Sequence, residues 1–323
     1  MKPHYIFHWL RVIAVAAVAT LPIAAHAESD ANTLRVGYQK YGTLILLKAH
    51  GTLEPRLEKL GVKVSWTEFP AGPQLLEGLN VGSVDFGTTG ETPPIFAQAA
   101  GAQLSYVGYE PPAPAAEAIL VPEGSPIKSV AELKGKKVAL NKGSNVHYLL
   151  VRALEQAGLK YSDIEVVFLA PADARAAFER GSVDAWVIWD PFLAAAETSI
   201  KARVLKDGKG VVNNYQFYLA EKSYAARRPD VIAAVFEEIA KVDEWAKSKP
   251  KEAATALSPL TKLDEATLLL ALNRGAYGVT YLNDKVVAHQ QQIADTFHGL
   301  KLIPKAIQIS DSVWVPSKKV VRK

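Results

Sequence analysis

The sequence predicts an α/β fold of two lobes joined by a hinge, with a cleft between them. Three observations carry this expectation. From Thr33 onward short apolar strands alternate with amphipathic helices, the pattern of largely parallel sheets covered by helices. About 296 residues follow an N-terminal leader, more than a single hydrophobic core usually organises. Finally, Gly82-Ser83-Val84-Asp85 returns as Gly181-Ser182-Val183-Asp184, 99 residues later. Each copy follows a predicted helix (Pro73–Asn80 and Ala172–Arg180), opens a short strand and runs into a polar loop ahead of another helix. A looser echo relates Leu34–Lys40 to Lys137–Gly143, so two strand-loop-helix positions match, as two lobes of similar plan would require.

At the N-terminus Lys2 and Arg11 lead into an uncharged apolar run from Val12 to Ala25, closed by Ala25-His26-Ala27. This reads as a signal peptide over residues 1–27 with a small-x-small cleavage site. The run of roughly 14 residues falls short of the ~20 that span a bilayer as a permanent helix. A mature chain beginning at Glu28 in an extracytoplasmic compartment is expected. No Cys follows the run, which leaves no site for lipid attachment, and the absence of Cys throughout removes disulfides, thiol nucleophiles and cysteine metal sites.

Predicted strands are Leu34–Tyr38, Val62–Phe69, Val84–Gly87, Leu104–Val107, Ile119–Val121, Lys137–Leu140, Glu165–Leu169, Val183–Ile188 and Phe217–Leu219. Between them lie helices such as Val146–Ala157, with Val146, Leu149, Leu150, Ala153 and Leu154 on one face. Beyond Glu221 the pattern turns helical up to Thr296, with Val231, Val235, Ile239 and Val242 on one stripe and Pro250 as a break. The Pro-rich stretch Pro111-Pro112-Ala113-Pro114 and the return at Phe217–Leu219 suggest two crossings between lobes. The expected division is 28–118 and 216–323 for the first lobe, including the helical layer, and 119–215 for the second. Two crossings make a hinge about which lobes close.

Of the net charge of +4, Lys2 and Arg11 supply two, leaving +2 on the mature chain. That is too little and too dispersed for nucleic acid or a membrane surface. The basic tail at Lys318, Lys319, Arg322 and Lys323 reads as a solvated end.

In open α/β sheets ligands sit outside the carboxyl ends of the strands, so four loops should converge on the cleft: Gln39-Lys40, Thr88 to Thr92, Gly143-Ser144-Asn145 and Trp189-Asp190. Thr92 or Glu91 precedes Pro93-Pro94, proline being tolerated in a first helical turn, and Ser144 is a natural N-cap for the Val146 helix. Helix starts aim N–H groups and positive partial charge into the cleft, and Thr88, Thr89 and Ser144 add hydroxyl donors. A small anion fits such a site. Any one of these loops alone is more simply explained as an ordinary cap; several at the ends of matched strands argue for a site.

Tyr38-Gln39-Lys40, the run from Trp66 to Gln74, Thr89-Gly90-Glu91-Thr92-Pro93-Pro94, Pro171-Ala172-Asp173-Ala174-Arg175 and Ala185-Trp186-Val187-Ile188-Trp189-Asp190-Pro191, ending with Val313-Trp314, together resemble the aliphatic sulfonate-binding proteins of ABC transporters. The resemblance covers essentially the whole mature chain. It implies a type II periplasmic binding protein that delivers alkanesulfonates to an inner-membrane ABC permease for sulfur acquisition, as a monomer, without cofactor, metal or catalysis. By the same resemblance the ligand-binding residues would be Gln39, Thr89, Gly90 and Glu91 in the first lobe and Gly143, Ser144, Asn145, Trp189 and Asp190 in the second. Two departures touch substrate preference: the family commonly has Asp where this chain has Glu91, and a second Ser where it has Asn145.

A sulfonate is a permanently ionised acceptor with three oxygens and no proton, which amides and hydroxyls saturate as pure donors. Its carbon substituent needs an apolar wall, for which Trp189, Tyr38 and Tyr109 are candidates; Phe217 reads more simply as core. Glu91 and Asp190 would accept from backbone N–H groups or meet a ligand amine. Arg175 would lock the closed lobes, reach the anion, or sit on the surface. An enzyme making thiamin pyrimidines on the same fold depends on a histidine and cysteine-rich segments, and this chain has no Cys; the seven His form no metal-ligand spacing, and neither G-x-S-x-G nor a P-loop is present. Taurine, sulfate esters and nitrate are the competing ligands. Nitrate has no tail to use an aromatic wall.

Overall fold

The computed structural model describes residues 31–316; the predicted signal peptide and the basic tail from Lys318 lie outside the described residues. The first lobe opens with β1 (Thr33–Tyr38), α1 (Thr43–His50), α2 (Leu53–Glu58), β2 (Lys63–Glu68), α3 (Gly72–Asn80), β3 (Phe86–Gly90), α4 (Pro93–Ala99) and β4 (Leu104–Glu110). The second sheet takes β5 (Glu117–Val121), β6 (Lys137–Leu140), α5 (Asn145–Gln156), β7 (Glu165–Phe168), α6 (Pro171–Glu179), β8 (Ala185–Trp189), α7 (Phe192–Ile200) and β9 (Arg203–Asp207). The chain then returns through β10 (Gln216–Glu221) to α8 (Lys222–Arg227), α9 (Pro229–Ser248), α10 (Pro250–Thr261), α11 (Glu265–Leu272) and α12 (Asp284–Gly299).

The two five-stranded sheets run β2-β1-β3-β10-β4 and β7-β6-β8-β5-β9. They share one plan. In each, the first three strands are parallel and the fourth runs antiparallel to both its neighbours. That fourth strand is the one that has just crossed from the other sheet, β10 in the first and β5 in the second. The crossings occupy residues 111–116 and 208–215. This is the two-lobe α/β arrangement that the alternation of strands and helices, with the internal echo, predicted.

The Gly-Ser-Val-Asp echo has a structural cause. Gly82 and Gly181 end α3 and α6 with φ of 73° and 69°, a left-handed turn that glycine adopts without steric cost. Three residues on, Asp85 Oδ2 accepts from Arg35 N while Asp85 N donates to Arg35 O, both at 2.8 Å. Asp184 brackets Lys137 in the same way, again at 2.8 Å twice. The aspartate thus fixes the start of the central parallel pair in each lobe.

In β1, Leu34, Val36 and Tyr38 alternate onto the face covered by α1 and α9, while Gly37 on the other face packs against Leu75 and Val84. The predicted stripe Val231, Val235, Ile239 and Val242 is buried on α9, each side chain contributing about 1.5–3 kcal/mol. The other large cluster of buried side chains draws on both sheets, joining Ile95, Tyr106 and Phe217 to Leu149, Trp186 and Phe297. Apolar packing is therefore continuous across the lobe boundary.

Two local expectations are corrected. Thr88, Thr89 and Gly90 belong to β3 and not to a loop, because the returning β10 pairs with them, Gln216 opposite Gly90 and Phe217 opposite Thr89. The edge strand β9 was not predicted: Arg203-Val204-Leu205-Lys206-Asp207 carries three charges, as exposed edges commonly do, and offers no apolar run to detect.

Candidate functional site

A cavity lies where the segment after β1, the first crossing and the β8–α7 corner meet. Lys40, Tyr41, Gly42 and Thr43 form one wall, Glu110, Pro111, Ala113 and Ala116 the back, and Asp190 and Pro191 the second-lobe side. Helices α10 and α11 close it with Leu257, Leu268, Ala271 and Leu272, and Tyr277 follows from the next loop. No side chain caps α1, so its first-turn N–H groups and the positive end of its dipole meet this space, with Lys40 beside them. Gly42 allows the approach: its φ is 75°, and a Cβ there would lie 2.3 Å from Gln216 Oε1.

Two carboxyls, Glu110 and Asp190, stand among the polar groups of the cavity. Glu110 accepts from Thr43 Oγ1 (2.6 Å), Gln216 Nε2 (2.7 Å) and the Tyr218 hydroxyl. Burial, and then neighbouring Asp243, push its pKa well above the usual carboxylate range. Asp190 Oδ1 accepts from Ala194 N at 2.9 Å and lies 3.5 Å from Arg274 Nη1; Oδ2 has no partner among the described residues. Burial pushes Asp190 up to about 7, against the pull of Arg274 in the other direction. The Tyr41 hydroxyl is raised by burial and by Glu110, Glu117, Glu91 and Asp190.

Beside the cavity the lobes touch. A Cβ on Gly90 would lie 2.8 Å from Asn145 Cβ, so the end of β3 meets the start of α5 backbone to side chain. Asn145 Nδ2 donates to Glu117 and, at 3.2 Å, to Asn214 Oδ1, tying α5 to the start of β5 and to the second crossing. Glu91 Oε2 accepts from Tyr215 N at 3.0 Å with His289 Nε2 3.7 Å away, and Gln290 of α12 donates to the Glu91 carbonyl. Burial, then Glu91, drive the pKa of Glu117 well upward. On the far side of the cavity Arg274 pairs with Glu197 at 2.7 Å, and the Thr198 and Thr267 hydroxyls meet at 2.9 Å. Phe297 of α12 packs on Phe96 of the first lobe and on His147 and Tyr148 of the second, at centroid distances of 5.0, 5.2 and 6.0 Å. The cleft is closed.

Of the predicted binding residues, Asp190 lines the cavity, and Glu91, Gly90 and Asn145 meet at the seam. Gln39 donates to the Thr88 carbonyl at 2.9 Å, and the Thr89 hydroxyl to the Gly90 carbonyl at 3.0 Å. Ser144 stands at the N-cap position of α5, yet its hydroxyl donates to the Asn141 carbonyl at 2.7 Å and caps nothing. Gly143 lies against Phe96, and its N–H donates to His147 Nδ1 at 3.3 Å. Trp189 is buried edge-on to Phe192.

Tyr38, Tyr109, Phe217 and Arg175 line no part of the cavity. Tyr38 faces Trp66 and Lys48 on the helical side of the first sheet. Tyr109 packs on Tyr215 and accepts from Asn283, Phe217 is core beside Tyr106, and Arg175 pairs with Glu179 and Ser199 on the outer face of α6. Tyr41, Gly42, Glu110 and Gln216 were not foreseen. The Gly42-Thr43 helix start was readable; the role of Glu110, at the end of a strand, was not. Among the described residues no group of three or more His, Asp or Glu gathers to hold a metal, and no helix is long and apolar enough to cross a membrane.

A family model described as NMT1/THI5 like matches residues 58–253. The chain is 47% identical to an aliphatic sulfonates-binding protein of Escherichia coli (strain K12), over 96% of each chain. The crystal structure of the periplasmic aliphatic sulphonate binding protein SsuA from Escherichia coli superposes with a TM-score of 0.81 at 48% identity, over 88% of this chain and 93% of that one. The alkanesulfonate-binding protein SsuA from Xanthomonas axonopodis pv. citri, bound to MOPS, does so with a TM-score of 0.85 at 42% identity, over 88% and 98%. The chain belongs to the NMT1/THI5-like family and, within it, to the aliphatic sulfonate-binding proteins.

Proposed function

We propose that this protein is the solute-binding component of an ABC importer, capturing aliphatic sulfonates in the periplasm and presenting them to an inner-membrane permease without chemical change. The observation that carries the reading is the cavity at the lobe seam, apolar on its α10–α11 side and facing the uncapped start of α1 on the other. Such a space suits one anionic head and a short carbon substituent. Its near relatives are binding proteins for sulfonates, in agreement with that chemistry.

In this reading the sulfonate oxygens take the α1 amides, Lys40 and the Tyr41 hydroxyl, all of which donate. Gln39, Thr89, Gly90, Glu91, Gly143, Ser144, Asn145 and Trp189 act by shaping and closing the seam, and Asp190 contributes to both. The protein works as a monomer. Thermal melts across ethanesulfonate, longer alkanesulfonates, taurine, sulfate and nitrate test this. Sulfonates should raise the midpoint. A rise with nitrate or sulfate alone would overturn the reading.

A further inference from the structure

We propose that ligand capture carries one proton into the seam between the lobes, and that Glu117, which lies outside the cavity, is the positioning residue that takes it. This rests on the reading that a sulfonate closes the cleft, and adds a second species to what closure binds. The central observation is a pair of carboxyls, one from each lobe, that closure brings together. Glu91 follows β3 in the first lobe, Glu117 opens β5 in the second, and both are fully buried. Gly90 lies against Asn145, and Asn145 Nδ2 donates to Glu117 Oε2, so two contacts link the carboxyls across the lobe boundary. Each keeps one oxygen, Oε1, without a partner among the described residues. Two neighbouring buried anions with bare oxygens are costly, and one proton relieves both the repulsion and the missing pairing.

The surroundings decide where the proton goes. Glu91 Oε2 accepts from Tyr215 N at 3.0 Å, a backbone donor that favours its charged form, and His289 Nε2 stands 3.7 Å from the same oxygen. Glu117 has only a side-chain amide, and Asn145 shares that amide with Asn214 Oδ1 at 3.2 Å. Burial and then Glu91 raise Glu117 well above the carboxylate range, against the pull of this amide. The phenols around the pair hold their own protons: Tyr41, Tyr148 and Tyr215 all feel Glu91, Tyr41 also feels Glu117, and burial raises each of them. Glu110 and Asp190 act on Tyr41 as well. When the lobes part, Gly90 leaves Asn145, and Glu117 regains water and loses the neighbouring charge of Glu91. Its hold on a proton is then weaker than in the closed form, so closing takes a proton up and binding strengthens as the pH falls.

Calorimetric titration with 1-butanesulfonate at about pH 7.5 in bis-Tris, imidazole and Tris, buffers without a sulfonate group and of different ionisation enthalpy, counts the protons. The ligand is ionised throughout and contributes none. In the wild-type protein the binding enthalpy should rise with the ionisation enthalpy of the buffer, with a slope of about 0.5 to 1 proton taken up per ligand. Kd should grow about fivefold or more from pH 6.5 to pH 8. In Glu117→Gln, which keeps a carbonyl for Asn145 and does not titrate, the slope should fall below about 0.2 and Kd should lose its pH dependence. Asp190→Asn and His289→Gln, which remove neighbouring ionisable groups, should keep the wild-type slope. A wild-type slope of zero or below, a slope that survives in Glu117→Gln, or one that vanishes in either of the other two variants would overturn the proposal and leave the sulfonate reading standing. No saturable heat from any sulfonate would remove both. If Glu117→Gln does not melt cooperatively, the wild-type slope and its persistence in the other two variants decide.

Discussion

Gly90 has no conformational need to be glycine, since its φ lies in the ordinary range, but it has a spatial one. A methyl group there would stand 2.8 Å from Asn145 Cβ, closer than side chains approach, and relief requires the lobes to part. Gly90→Ala should therefore leave thermal stability nearly unchanged and weaken ligand binding about tenfold by depleting the closed form. Calorimetry beside a melt separates the two effects. The paired aspartates of the echo offer a different contrast. Asp85 is fully buried and also pairs with Arg35 at 2.6 Å, whereas Asp184 brackets Lys137 at an exposed position. Asp85→Ala should cost about 3 kcal/mol by leaving Arg35 without its counter-charge, and Asp184→Ala about 1 kcal/mol, measured by urea unfolding.

His147 supplies the pH dependence at this scale. Burial, assisted by Lys142, lowers it from 6.5 to about 4. A group depressed in the folded state contributes its stability fully above pH 6.5 and loses it as the pH falls towards 4, here about 3 kcal/mol. Asp190 acts oppositely in that window, because its folded pKa is raised: its cost is present above pH 7 and relieved on acidification. The difference between wild type and His147→Gln isolates the imidazole. Urea unfolding at pH 7 and pH 4.5 should give a smaller loss for the variant.

At the scale of elements, α12 and the α10–α11 pair, appended after the return strand, do as much to build the site as the strand ends. Phe297 bridges rings of both lobes, so Phe297→Ala should cost about 3 kcal/mol of stability by cavity formation and loosen the seam. The measurement is urea unfolding with and without ligand. These contributions also mark what could be read in advance. Strand and helix order follows from local periodicity, and the aspartate echo exposes the matched lobes, because each is written in contiguous residues. The walls from Leu257, Leu268 and Leu272 are ordinary apolar positions of ordinary helices, and nothing local says which cavity they close. Tyr38 misled for a related reason: strand alternation turns it to the helical face, and the tyrosine in the cavity comes three residues later, after the chain has turned. Ser144 stood where a capping residue should, but an acceptor at Asn141 took its hydroxyl.

For the whole molecule, two sheets of one plan exchange a strand through each crossing, and the start of α1, Glu110 and Asp190, and the α10–α11 surface lie around one space. The central claim is that this space holds one sulfonate per chain. Calorimetric titration of the purified protein with 1-butanesulfonate tests it most directly. Saturable heat with a stoichiometry of about one is predicted, as for a single site. No saturable heat with this or any other sulfonate, beside clear saturation with nitrate, would contradict it.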